Sequence, residues 1–304
     1  MSDLSVVDLT VDYSGPAGDQ AAADRRARQL YAEHGCILAK GLLDEMALEP
    51  SRRVIRRLIA LRLHALDLPE EFSDGQSPCF DDGFLRLTEL DDWNRVVIAS
   101  ALMRSVSLQQ LGWDPRLVRL SRLLMATDTV MASDLGALQV HLPNDRRNLR
   151  PWHQDYPYVR DSEDALIYWF PLQSLEGQNG GLRVAPGSHR LGVLPMRGYR
   201  PRLAGSERPM RIADLSGLDQ FPQLTVPVEA GDVLVFSTLL LHASALNCSH
   251  RVRWTVQVRH GNFEDPRALA RDWPATRPAT RFGPFEETHP EYYLETLEDQ
   301  EAPE

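Results

Sequence analysis

His242-Ala-Ser-Ala-Leu-Asn-Cys-Ser-His-Arg-Val-Arg-Trp-Thr-Val-Gln-Val-Arg259 is the stretch that decides the fold. A turn-prone segment leads into strict two-residue alternation. Arg251, Arg253, Thr255, Gln257 and Arg259 fall on one face of the implied strand, and Val252, Trp254, Val256 and Val258 on the other. Two readings are open. The arginine face lies in solvent, or it points into a barrel, where buried guanidinium groups are costly unless an anion meets them. A dicarboxylate would be such an anion, because the planar fork of arginine suits a carboxylate.

Upstream lies Ala230-Gly-Asp-Val-Leu-Val-Phe-Ser-Thr-Leu-Leu-Leu241, a turn and then a run to be buried, from which His242 emerges. Other short runs suited to strands are Gly136–Leu142, Ala165–Pro171, Gly181–Ala185 and Val233–Ser237. The N-terminal half has a different texture. Residues 20–34 read as a helix stopped by Gly35, followed by a strand in CILAKGLL. Residues 44–66 read as a second helix, capped by Asp44. Its apolar stripe is Val54, Ile55, Leu58, Ile59 and Leu61, with Arg52, Arg53, Arg56 and Arg57 as a solvated face. Residues 67–83 read as a loop, Phe84–Leu90 as a strand, and 92–126 as helix interrupted near Gly112–Pro115. A further strand is expected at Leu4–Leu9, and the last ten residues are expected to be mobile. Helices followed by many short strands predict a mainly β fold with flanking helices.

The chain has 304 residues and a net charge of −10, which disfavours a nucleic-acid partner. Lys40 is the only lysine among 33 cationic residues. Three separated cysteines, with no CxxC pair, indicate neither a disulfide framework nor a zinc knuckle. No basic-then-apolar leader and no membrane-length apolar run is visible, so a cytoplasmic location is expected. Nothing in the pattern defines an oligomeric state.

The chemistry concentrates in Arg150-Pro-Trp-His-Gln-Asp-Tyr-Pro157. On a strand, His153 and Asp155 would share a face and reach one cation. Two histidines and one carboxylate form the facial triad of non-haem iron(II) oxygenases, and His242 is the candidate third ligand. By itself an HxD pair is a weak signal, and a lone histidine is more often a hydrogen-bonded core residue.

Three segments in order carry a resemblance. They are His153-x-Asp155, Gly180-Gly181-Leu-Arg-Val-Ala-Pro-Gly-Ser-His189, and His242-x-Ser244-x-x-Asn247-x-Ser249-x-x-x-Arg253. Together, within a similarity over about 28–262, they resemble the phytanoyl-CoA dioxygenase family of iron(II)- and 2-oxoglutarate-dependent oxygenases. The resemblance implies a double-stranded β-helix, a jelly-roll of the cupin type. It implies one domain over 1–304, with helical support at about 16–126, a core at about 128–262 and a C-terminal extension at 263–304. It implies iron(II) on His153, Asp155 and His242, with 2-oxoglutarate as cosubstrate and O2 as oxidant. The distal carboxylate of 2-oxoglutarate would meet Arg253, supported by Ser244, with Trp169 lining the pocket. Arg86 and Gln139 are looser candidates for the same pocket. His189 belongs to a turn rather than to the ligand set. The family's halogenases lack the carboxylate, so Asp155 favours hydroxylation of a small molecule with release of succinate and CO2, with desaturation, epoxidation and ring formation left open by the way a substrate sits.

Arg146, Arg150, Tyr156 and Arg160 flank HxD and are candidates for holding that small-molecule substrate, against plain loop solvation. The insert 191–226 is expected to be a lid or substrate loop. Two other functional classes are open: a non-catalytic cupin-like binding protein, and a zinc hydrolase or isomerase built on the same triad.

Overall fold

The alternation over 253–259 belongs to a strand buried on both faces, and Arg251 and Val252 precede it. The structure is a computed structural model describing residues 4–15, 19–69, 81–133, 137–147, 149–175, 180–200, 209–273 and 284–301. Its strands are β1 (Thr10–Asp12), β2 (Cys36–Lys40), β3 (Val130–Ala132), β4 (Ala137–His141), β5 (Ala165–Pro171), β6 (Leu182–Val184), β7 (Met196–Arg200), β8 (Met210–Ile212), β9 (Leu224–Val226), β10 (Val233–Ser237), β11 (His242–Ser244), β12 (Arg253–Asn262) and β13 (Tyr293–Glu301). Its helices are α1 (Gln20–His34), α2 (Glu45–Ala65), α3 (Asp81–Leu90), α4 (Trp93–Met103), α5 (Val106–Gly112), α6 (Pro115–Met125), α7 (Tyr156–Val159), α8 (Pro266–Ala270) and α9 (Phe285–Thr288).

The large sheet runs β1-β2-β10-β5-β12, and the far edge of β12 pairs with β4 and then β3. A second sheet runs β11-β6-β9, and a third β13-β7-β8. The large sheet has two apolar faces. On one, Trp254, Val256, Val258, Tyr168 and Val235 pack against Ile55, Ile59, Phe84, Leu117 and Leu120 of the helices. On the other, Ile167, Trp169, Leu234 and Phe236 pack against Leu182, Val184 and Val226 of the second sheet. Burial on both faces explains the unbroken apolar runs of β5 and β10. No helix among the described residues is long and apolar enough to cross a membrane.

Several local expectations match the elements. Gly35 ends α1 in the left-handed region, at φ 69°, with its N–H on the Tyr31 carbonyl. Asp44 caps α2 by accepting from the Ala47 N–H. The interruption near Gly112–Pro115 separates α5 from α6.

Others are corrected. Phe84–Leu90 is part of helix α3, which also takes in residues 81–83 of the expected loop; 70–80 lie outside the described residues. Phe84 and Leu87, three apart and both buried, form one helical stripe, and short alternation misread it as a strand. Arg52 is not solvated. It is buried, donating to the Leu172 carbonyl and pairing with Glu45, whereas Leu61 of the expected apolar stripe is exposed. The first strand starts at Thr10, after a 3-10 turn over Val7–Leu9. The insert 191–226 is not simply a loop, because it contributes β7, β8 and β9; residues 201–208 lie outside the description. The C-terminal residues through Glu301 form β13 along β7 rather than a free tail.

The C-terminal segment is anchored by a buried histidine. His289 Nε2 lies 2.8 Å from the Tyr156 hydroxyl, and its ring stacks on Phe285. Burial, and then the charge of Arg271, push its pKa down from 6.5 to about 4. A depressed histidine pKa means that the unfolded chain takes up the proton first, so stability is lost as pH falls from about 6.5 towards about 4. The melting temperature should therefore drop across that window, and the drop should be shallower in His289→Gln. Packing of α3 on the large sheet rests on Phe84, whose ring centroid is 4.6 Å from that of Trp254. Phe84→Ala should cost about 3–5 kcal/mol in urea unfolding.

Candidate metal centre

His153 and His242 are locked to each other through the backbone. Each N–H donates to the other's carbonyl, at 2.9 and 3.0 Å, as an isolated antiparallel bridge. His242 opens β11, but His153 lies outside any named strand, and Asp155 is the residue that enters α7. The strand argument for HxD is therefore corrected. What aims Asp155 is its N–H on the Thr238 carbonyl, 3.0 Å away. Gln154, between them, is buried and turned away. It donates to the Gly192 and Leu239 carbonyls and accepts from the Leu194 N–H. That tether was not anticipated from the sequence.

The imidazole tautomers follow from their partners. His153 Nδ1 is 2.8 Å from the Pro151 carbonyl, and His242 Nδ1 is 2.9 Å from the Leu240 carbonyl. A carbonyl only accepts, so each Nδ1 carries the proton and each Nε2 keeps its lone pair. Those Nε2 atoms lie 3.4 and 3.5 Å from a single oxygen, Asp155 Oδ1. Burial, and then the neighbouring His242, lower the pKa of His153, which favours the neutral ligand form. Burial alone would raise that of Asp155. The charge of Arg259 outweighs it, holding the carboxyl well below its usual range. Two neutral nitrogens and one carboxylate oxygen, all within 4.8 Å of one another, fit a facial-triad iron(II) centre.

The inner face of β12 continues the site. Arg253 is 1 % exposed, and its Nη1 donates to the carbonyls of Gly180 and Ala245 at 2.9 and 3.0 Å. Burial pushes its pKa down to about 10, and an anion beside it would oppose that shift. Gly180 has φ 65°, and a Cβ there would stand 2.4 Å from the Leu246 carbonyl oxygen and 2.9 Å from Arg253 Nη1. It is thus more than a turn residue. Asn247 builds the turn before β12, donating to the His141 and Arg251 carbonyls and accepting from Ser249. Trp169, opposite Gln257 in the register, lies between the large and second sheets. Its indole N–H is buried without an acceptor among the described residues, as a site for a polar ligand would require.

Gln257 Nε2 and Arg259 Nε both donate to Asp155 Oδ2, at 2.7 and 3.1 Å. Gln139 Nε2 donates to Gln257 Oε1 at 3.1 Å, so Gln139 reaches the centre through Gln257. Gln257 and Arg259 were not singled out as site residues, although their alternation with Arg253 was the available signal. The Ser244 hydroxyl accepts from the Arg150 N–H at 3.1 Å, tying the HxD loop to β11. Tyr158, also not anticipated, stands edge-on to His153 at 6.2 Å with its hydroxyl on the Met210 carbonyl.

The remaining candidates disperse. Arg86 is on α3, in the helical layer covering the other face of the large sheet. Arg146 and Arg150 are exposed on the loop before HxD. Tyr156 and Arg160 are buried against the C-terminal segment, on His289 and Thr288. His189 packs beside Gly35 and is not in the ligand cluster.

Residues 31–255 match the family described as phytanoyl-CoA dioxygenase (PhyH). A probable phytanoyl-CoA dioxygenase of Caenorhabditis elegans is 22 % identical over 260 residues, covering 83 % of this chain and 78 % of the relative. The 1-deoxypentalenic acid 11-beta-hydroxylase of Streptomyces exfoliatus is 26 % identical over 255 residues, covering 79 % of each. Among solved structures, the epimerase SnoN, in complex with Fe3+, alpha ketoglutarate and nogalamycin RO, aligns with a TM-score of 0.54 at 19 % identity. That alignment covers 80 % of this chain and 84 % of SnoN. EctD from S. alaskensis aligns with a TM-score of 0.52 at 18 % identity, covering 83 % and 78 %. The family match takes in HxD, the glycine turn, His242 and Arg253, and this chain belongs to the phytanoyl-CoA dioxygenase family.

Proposed function

We propose that the chain is an iron(II)- and 2-oxoglutarate-dependent dioxygenase that hydroxylates an unactivated C–H bond of a small molecule. The substrate would be a natural product, an amino acid or a lipid-type metabolite. The observation that carries this reading is the convergence of both imidazole Nε2 atoms on Asp155 Oδ1, with Arg253 buried along the same strand face as the groups that hold Asp155. In this reading the large and second sheets, closed over one apolar interior, are the two halves of a double-stranded β-helix. The helices and C-terminal segment complete one oxygenase domain.

His153, Asp155 and His242 would hold the metal. Bound iron with 2-oxoglutarate and O2 supplies the oxidising power, with release of succinate and CO2 and delivery of one oxygen atom to the substrate. The protein's own groups orient and exclude. Arg253 receives the distal carboxylate of 2-oxoglutarate, aided by Ser244, and Trp169 lines that pocket and offers its N–H. The carbonyls on Arg253 Nη1 fix the guanidinium before the anion arrives. Tyr158 walls the site beside His153. Arg146 and Arg150, exposed ahead of HxD, would meet an acidic substrate, a reading supported by a Streptomyces relative named for hydroxylating an acid. A zinc hydrolase on the same triad would have no use for the buried Arg253.

Anaerobic addition of iron(II) and 2-oxoglutarate should give the weak visible charge-transfer band of the chelate, and His153→Ala and Arg253→Ala should lose it. The same band in those variants would sink the assignment. In air, succinate release across a metabolite panel would then find the substrate. Gly180→Ala should leave metal affinity intact and weaken 2-oxoglutarate binding by about tenfold or more, ~1.4 kcal/mol, because the new methyl displaces Arg253. Titration of 2-oxoglutarate into metal-loaded protein measures it.

A further inference from the structure

We propose that Gln257 and Arg259 are positioning residues that restrict Asp155 to a single oxygen for the metal. This rests on the iron reading above and extends it. The two oxygens of Asp155 are in different surroundings. Oδ1 faces both ligand nitrogens. Oδ2 accepts from Gln257 Nε2 at 2.7 Å and from Arg259 Nε at 3.1 Å. Those two donors occupy the lone pairs of Oδ2 and turn it from the metal position.

Asp155 needs such a clamp more than its partners do. Each histidine is fixed twice, by the shared backbone bridge and by its own Nδ1–carbonyl bond. Asp155 lies past any strand, entering a four-residue helix, with no cap bond to spend its side chain on. Its carboxylate would otherwise rotate about its own side-chain bonds.

The clamp is itself held in one orientation. Gln257 donates through Nε2 to Asp155 and accepts at Oε1 from Gln139 Nε2. Flipping the amide would set oxygen against carboxylate at one end and NH2 against NH2 at the other. Gln139 and Gln257 stand on paired strands β4 and β12, so their approach is set by the sheet. Arg259, 3.1 Å away, also neutralises the buried carboxylate.

The chemical consequence concerns free positions. A carboxylate binds a metal through one oxygen or through both. One-oxygen binding keeps the third open position of the facial triad, so that a two-point cosubstrate and O2 both fit. Without the clamp, Asp155 takes a second position. Metal binding then stays as tight or tightens, while 2-oxoglutarate binding weakens. A general loosening of the site would weaken both.

The test uses Co(II) as a redox-inert metal, added to the full chain without oxygen. Metal affinity is read by competition with a chromophoric chelator, and 2-oxoglutarate affinity on the loaded protein. Gln257→Leu and Arg259→Met should match or exceed wild-type metal affinity and bind 2-oxoglutarate about tenfold more weakly. Gln139→Leu, which removes the donor that orients Gln257 and leaves both clamp bonds to Asp155 in place, should move each affinity in the same direction as Gln257→Leu does, by about threefold or less. Parallel loss of both affinities in all three folded variants, or no change in either, would overturn the proposal. Absence of 2-oxoglutarate binding by wild type would instead overturn the functional reading. The clamp would then be judged from the Co(II) absorption spectrum, which must change in Gln257→Leu if Asp155 takes a second position.

Discussion

The burial of charge along the inner face of β12 is the constraint on which the rest depends. Arg253 and Arg259 stand on one strand face with Thr255 and Gln257 between them, inside a protein that must compensate each cation. Arg259 is matched by Asp155. Arg253 is cradled by two main-chain carbonyls, from the glycine turn and from the end of β11. The outer face of the same strand carries Trp254, Val256 and Val258 into the helix-facing core. The apolar anchoring of that face holds the polar face in place, and a slip of one residue would exchange the two.

The ligands are set by main-chain hydrogen bonds more than by regular secondary structure. The reciprocal bridge places the two imidazoles with ring centroids 4.1 Å apart, and the flanking carbonyls choose their tautomers. Asn247 then makes the turn that returns the chain from His242 to Arg253. The eleven-residue interval between those residues is thus a mechanical link between the His–Asp–His cluster and buried Arg253.

The residues after HxD serve the C-terminal segment. Tyr156 and Arg160 bind His289 and Thr288, so the segment beyond the large sheet closes over the back of the loop that carries Asp155. Buried Glu163, paired with Arg267 and Arg271, reinforces the same docking. The metal loop therefore has structured protein on both sides.

The sequence by itself picked out His153, Asp155 and His242 as candidate ligands, the alternation that carries Arg253, and most of the strands and helices. Local periodicity and turn residues carry the elements, whereas the joining of distant His242 to HxD came with the family resemblance. The sequence misassigned Phe84–Leu90, because seven residues fit either period, and burial on Trp254 made the helix the answer. It placed Arg52 in solvent, because the Leu172 carbonyl that receives its side chain is 120 residues away. Only the tertiary structure decided that Tyr156 and Arg160 face the C-terminal segment and that Gln257 and Arg259 hold Asp155. Those choices depend on which distant segments meet, and hydrogen-bond direction in the interior is fixed only once they do.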